Sequence, residues 1–132
     1  MPIDYHMRPR HQLGIMQLSG ELTGPDIKAA LLMLTNDPQW ETGYDALIDA
    51  RGITRLGINP DESAEIVGLP RLYRAQFLDS RFAILVRREA DHDLARLWRY
   101  MWLKEQCEVQ VYVSPDPATE WLGIPPDLYP EE

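Results

Sequence analysis

Beyond residue 20 the chain alternates short apolar runs with helical segments, three of which begin at a proline. Two runs, YDALIDA at 44–50 and RFAILV at 81–86, have the length and apolar content of buried strands. The sequence Asn59-Pro60-Asp61-Glu62 lies between them and is typical of a helix start, with a cap, a first-turn proline and two acids. This alternation requires crossover connections, so it predicts a mostly parallel sheet.

The first 35 residues predict a hairpin followed by a helix. Two extended segments, 3–7 and 13–18, are separated by a turn at 8–12. Thr23 or Gly24 can cap a helix that Pro25 opens. Its apolar residues recur at a spacing that places them on one face: Ile27, Ala30, Leu31 and Leu34.

Three further helices and a fifth strand complete the predicted order. A loop over 51–59 should connect the third strand to the second helix. We expect Pro70 to end or kink that helix. A helix that begins near Asp91 or Asp93 should precede a strand at 109–113, and Pro115 should open a last helix that Gly123 ends. The prediction is an α/β fold with a mixed five-stranded sheet in the order ββαβαβαβα, flanked by helices. One domain would span 1–124, and a proline-rich acidic tail would span 125–132.

Composition excludes several classes of protein. The chain has 132 residues, 45% of them hydrophobic, and a net charge of -8, so neither disorder nor binding to a nucleic-acid backbone is expected. Cys107 is the single cysteine and cannot form an intrachain disulfide. No apolar run approaches the roughly 20 residues that span a bilayer, and the first residues lack a secretory signal. We therefore expect a cytoplasmic protein without stable membrane insertion.

Several short segments, in this order and spacing, carry a family resemblance over nearly the whole chain. They are MPIDY, LSGELT, DALIDARGIT, RFAILV, the pair Ala95-Arg96 and ATEWL. The sequence resembles the SpoIIAA-like (STAS/Sec14-like) small bacterial proteins. The resemblance implies a five-stranded mixed sheet built from βα units, and it implies much less about activity.

The better understood relatives are anti-anti-sigma factors, in which an Asp-Ser pair after a central strand carries the serine that a kinase phosphorylates. When 48–54 is aligned with that strand, Gly57-Ile58 occupies the Asp-Ser position. The resemblance thus implies a switch whose phosphorylatable serine is missing here. Ser63 lies five residues beyond Ile58, inside the predicted helix, and is the alternative site if the alignment is shifted.

In open α/β sheets, ligands bind at the carboxyl ends of the parallel strands. The polar residues predicted at that edge, which could hold an anion, are Asp49, Arg51, Asn59, Arg87 and Arg88. Each has a structural alternative. Asp49 can bind main-chain N–H groups of the next loop, and the arginines can pair with neighbouring acids.

Residues 71–99 carry seven arginines and four acids, so this segment has a charge of +3 and the remainder -11. On the helix predicted within it, one face combines arginines with apolar residues, a composition favoured at interfaces. These candidate interface residues are Arg96, Arg99, Tyr100 and Leu103. The alternative is burial of this face by loops or by the tail.

Motifs for nucleotide-binding loops, catalytic serines and metal clusters are absent from the sequence, so we expect neither a cofactor nor a metal. Tyr100-Met-Trp-Leu-Lys104 matches a dehydrogenase spacing without the glycine-rich loop that should precede it. The first hypothesis is therefore a non-enzymatic STAS-like regulatory or protein-interaction module that can form a homodimer. The alternative is a carrier or sensor of a small apolar or anionic ligand.

Overall fold

A mixed five-stranded sheet forms the centre of the computed structural model, which describes residues 3–73, 75–87, 96 and 107–126. The strands are β1 (Ile3–Arg8), β2 (Leu13–Thr23), β3 (Asp45–Gly57), β4 (Arg81–Leu85) and β5 (Glu108–Tyr112), and they lie side by side in chain order. β1 pairs antiparallel with β2, and every later neighbour pair is parallel. The predicted hairpin and mixed sheet are confirmed.

The described helices are α1 (Gly24–Thr35), α2 (Pro60–Tyr73) and α3 (Pro115–Leu122). Thr23 caps α1 as predicted: its main-chain N–H donates to Asp26 Oδ2 at 2.9 Å, and the Asp26 N–H donates to Thr23 Oγ1 at 3.4 Å. Gly123, with φ of 72°, ends α3. Of the two effects expected of Pro70, an end of α2 is wrong, because the helix continues to Tyr73, and a kink stays a prediction.

Alternating strand residues divide the core between the two faces of the sheet. One face holds Met16, Ile48 and Ile84, and it packs against α1 and α2 through residues such as Leu31 and Ile66. The other face contributes its own buried set, which packs against α3: Leu13, Ile15, Leu47, Ala83 and Leu85, with Ala118 and Leu122 of the helix. Both faces of β2, β3 and β4 are therefore buried, as expected for central parallel strands.

β3 continues to Gly57, so the prediction of a loop from Arg51 is wrong. Two register shifts against β2 each place one extra residue in β3, between Asp49 and Gly52 and again between Ile53 and Arg55. Each extra residue moves the following side chains to the other face of the sheet. Ile53 therefore packs in the same core as Ile48 and Ala50, although it does not continue their alternation. A Cβ on Gly52 would lie 2.9 Å from the Leu18 carbonyl oxygen, so only glycine fits there.

Part of the predicted architecture lies outside the described residues. This part includes the helix predicted between β4 and β5, except Arg96, and the tail from residue 127 onward. Arg96 itself has helical backbone and an exposed side chain.

Candidate functional site

Asp49 and Arg51 form an ion pair near the point where β3 passes the end of β4. The Arg51 Nε donates to Asp49 Oδ1 at 2.9 Å, and its Nη2 donates to Oδ2 at 3.0 Å. Oδ1 also accepts the Arg51 main-chain N–H at 3.0 Å. Asp49 is only 2% exposed, so donors such as these stabilise its charge in the buried site. The structural role that the sequence allowed for Asp49 is thus present in the fold.

Arg87 lies two residues beyond the end of β4, and its side chain reaches the neighbouring strand β3. Its Nη2 donates to the main-chain carbonyl of Ile53 at 2.6 Å, in the part of β3 that extends beyond its ladder with β4. The guanidinium therefore occupies a position where a strand would otherwise donate a main-chain N–H. Arg88, the second predicted arginine, lies outside the described residues.

Asn59 caps the start of α2. Its Oδ1 accepts the Glu62 N–H at 2.8 Å, and Glu62 Oε1 accepts the Asn59 N–H at 3.0 Å. This reciprocal capping box satisfies donors that could otherwise face an anion. The strand-to-helix connection contains Ile58 and Asn59 after Gly57, and the backbone of Ser63 lies one turn inside α2.

A cleft of about 250 Å³ lies between α1 and α2. Its lining combines apolar and charged residues: Gly24, Pro25, Lys28, Glu62, Glu65, Ile66 and Leu69. Lys28 Nζ lies 3.7 Å from Glu65 Oε1, and both side chains are at least half exposed, so this ion pair is weak. Two carboxylates against one ammonium make the lining unfavourable for an anion. Sequence analysis missed this cleft because its residues come from two separate helices.

The structure also shows an arginine that sequence analysis did not select. Arg81 Nη2 donates to Asp45 Oδ2 at 2.7 Å, and the same guanidinium donates to the carbonyls of Trp121 at 2.7 Å and Leu122 at 3.0 Å. The guanidinium also lies 5.3 Å from the centre of the Trp121 ring. We call this set, Arg81 with Asp45, Trp121 and Leu122, the Arg81 clasp. It holds the carboxyl end of α3 against the amino ends of β3 and β4.

In β1, an edge strand of the sheet, the Tyr5 hydroxyl donates to Asp37 Oδ2 at 2.5 Å. Burial raises the pKa of the Tyr5 phenol well above its ordinary value of 10.0, and the Asp37 hydrogen bond and charge raise this pKa further. Tyr5 therefore remains protonated at neutral pH and ties β1 to the segment after α1.

Other candidate chemistry is limited in the described part of the chain. Within 3–73, 75–87, 96 and 107–126, no three His, Cys, Asp or Glu side chains lie together as a metal site would require. The helices among these residues include none that is long and apolar enough to cross a membrane. Of the predicted interface residues, only Arg96 is described, and Arg99, Tyr100 and Leu103 lie outside the described ranges.

Comparison with solved structures finds a similar chain, an uncharacterised protein of the DUF3478 family with a SpoIIAA-like fold from Shewanella loihica PV-4. The two chains have a TM-score of 0.58 and 19% sequence identity, and the match covers 91% of each. No protein-family model matches this sequence, and no curated protein matches it. The fold predicted from the sequence, a SpoIIAA-like α/β fold, is confirmed.

Proposed function

We propose that this chain is a non-enzymatic regulatory or protein-interaction module that uses the SpoIIAA-like fold without its serine switch. One observation carries the proposal: polar groups gathered near the carboxyl ends of the strands bind one another. Asp49 binds Arg51, Asn59 binds Glu62, and Arg87 binds the Ile53 carbonyl. Such mutual satisfaction suits a rigid scaffold better than a site that must exchange these bonds for a substrate.

The connection from β3 to α2 supports the second part of the proposal. A serine that a kinase phosphorylates needs its hydroxyl on an accessible loop, and the residues here are Gly57, Ile58 and Asn59. A phosphate on Ser63 would instead add nearly two negative charges inside α2, next to Glu62 and close to Glu65 in sequence. We expect incubation with a cognate kinase and ATP to add no phosphate to residues 57–63. Phosphorylated Ser63 would contradict this part of the proposal.

We propose that a partner protein binds at the surface predicted from Arg96, Arg99, Tyr100 and Leu103. A glutamate at Tyr100 or Leu103 would place a charge in that contact, so the complex should dissociate. Leu103→Glu is compared with Leu78→Glu, because Leu78 is 40% exposed and lies in the loop before β4. Complexes recovered from the host that sediment with the same mass for both variants and the wild type would contradict this choice of surface.

The alternative function, a carrier of a small ligand, is favoured by the cleft between α1 and α2. Its two carboxylates disfavour an anion, and its apolar lining residues, Pro25, Ile66 and Leu69, favour a small apolar molecule. Native mass spectrometry of protein purified from its own host tests the alternative. An added mass that denaturation removes would support the carrier, and a bare chain mass would favour the interaction module.

A further inference from the structure

β5 is the edge strand opposite β1 in the described sheet. Along β5, the main-chain N–H and C=O groups point alternately toward β4 and toward the outer edge. The Glu108 N–H donates to the Ser80 carbonyl, and the Tyr112 carbonyl accepts the Val86 N–H. Residues 108, 110 and 112 therefore direct their main-chain groups toward β4, and the groups of Val109, Val111 and Val113 point outward. In the described part of the chain, no strand pairs with this outer edge. Glu108 and Gln110 are exposed, and Val113 is 64% exposed.

The two edges of the sheet differ in their protection against pairing. Along β1, the side chains of Asp4, His6 and Arg8 alternate with apolar ones, and charged edge strands resist association. β5 has the sequence EVQVY, with a single charged residue at its start. The β5 edge is therefore the better candidate for strand addition.

We propose that β5 pairs antiparallel with β5 of a second copy of this chain, with Gln110 on the two-fold axis. This register overlaps the whole strand. It places Val109 opposite Val111 of the second copy as a hydrogen-bonded pair, and Gln110 opposite Gln110 as a non-hydrogen-bonded pair. Glu108 falls opposite Tyr112, so a carboxylate acceptor faces a phenol donor and no like charges meet.

The fold supports this pairing in two further respects. Burial raises the pKa of Tyr112 above its ordinary value of 10.0, although the nearby Arg81 lowers it in part, so the phenol remains a donor at neutral pH. Val113, which follows the strand and is largely exposed, falls opposite Cys107 and gains an apolar neighbour. In this register each side chain of β5 meets a compatible side chain of the same strand, so the partner that best fits this edge is a second copy of the chain.

The resulting dimer should be weak and should strengthen with salt. A single five-residue strand pair buries less than the roughly 1,200 Å² of a standard stable interface. Each copy carries a net charge of -8, and this long-range repulsion is screened as ionic strength rises. We expect the dimer fraction of the full chain to rise with protein concentration, and to be larger in 500 mM than in 50 mM NaCl.

Sedimentation velocity of the full chain and two matched pairs of variants tests the proposal. Gln110→Lys places two ammonium groups together on the axis and should raise the dimer dissociation constant at least tenfold. Gln39→Lys, the same change on an exposed loop, should leave it unchanged. Gln110→Cys should form a disulfide-linked dimer under mild oxidation, since opposed Cα atoms in such a pair lie about 4.5 Å apart. Gln39→Cys should crosslink far more slowly.

Three results would overturn the proposal. The first is a chain that remains monomeric at every concentration and salt. The second is Gln110→Cys crosslinking no faster than Gln39→Cys in protein whose circular dichroism is native. The third is a dimer that Leu103→Glu dissociates and Gln110→Lys leaves intact, which would assign self-association to the helix surface instead.

Discussion

Replacement of Arg81 by leucine should destabilise the fold more than any other single arginine substitution among the described residues. The substitution removes one hydrogen bond to Asp45 and two to the carbonyls at the end of α3, together with the contact to the Trp121 ring. The main-chain N–H of residue 81 keeps its 2.9 Å bond to Asp45 Oδ1, so the carboxylate is not left wholly without donors.

The expected cost follows from these bonds. A hydrogen bond to a charged group contributes roughly 1.5–3 kcal/mol when buried. The Arg81 side chain is 35% exposed, so solvent weakens each contribution. We expect Arg81→Leu to lower the free energy of unfolding by about 2–3 kcal/mol. Arg81→Lys should lose about half as much, because a single ammonium cannot match the fork of the guanidinium.

Urea denaturation followed by circular dichroism measures this change, and Arg55→Leu is the matched control. Arg55 lies 3.4 Å from Glu21, and the two side chains are 76% and 51% exposed, so its loss should cost under about 0.5 kcal/mol. Native-state hydrogen exchange should show that amides of α3 lose protection first in Arg81→Leu. Equal costs for the two leucine variants would refute the assignment of the Arg81 clasp as a stabilising contact.

Four other substitutions test three separate features of the fold by the same denaturation assay. Gly52→Ala should lower the free energy of unfolding by about 1–3 kcal/mol, since the added Cβ would press on the Leu18 carbonyl oxygen. Gly68→Ala should instead stabilise α2 by up to about 1 kcal/mol, because no heavy atom lies within 4 Å of the added Cβ. A Gly52→Ala variant as stable as the wild type would contradict the bulge. Thr23→Ala should cost about 1 kcal/mol by removing the cap of α1, and an unchanged midpoint would argue against that cap. Tyr5→Phe should cost about 1 kcal/mol at pH 7. Because folding raises the pKa of Tyr5, the stability of the wild type should fall as pH rises above about 10, and the stability of Tyr5→Phe should fall less. Ultraviolet titration of the variant should show one fewer phenol that resists ionisation at high pH.

The sequence predicted those parts of the fold that local signals encode. Thr23, Pro25 and Gly123 mark helix ends by their own conformational preferences, and these predictions are confirmed. The extension of β3 was missed because its two extra residues destroy the alternation by which a strand is recognised, and Gly52 resembles a turn residue. The continuation of α2 past Pro70 was not predicted, because tertiary packing can override a residue's local preference.

The candidate site was harder to predict, since its geometry depends on long-range contacts. Asp49 and Arg51 are two residues apart, so their pairing could be anticipated. The contact between Arg87 and the Ile53 carbonyl spans 34 residues, and the Arg81 clasp spans up to 41. No spacing rule connects such positions before the order and register of the strands are known.

The side-by-side order of the strands has a consequence for how the chain can assemble during synthesis. Each parallel strand joins the edge left by the strand that precedes it in the chain, so no strand has to insert between two others. The β1–β2 hairpin can form first, and α1 with β3 can then add to it while the later residues are still inside the ribosome. When the first 57 residues of a ribosome-bound chain have emerged from the ribosome, we expect β2 to be protected from proteases. β5 should gain protection only later, after its own residues and those that pack on it have emerged.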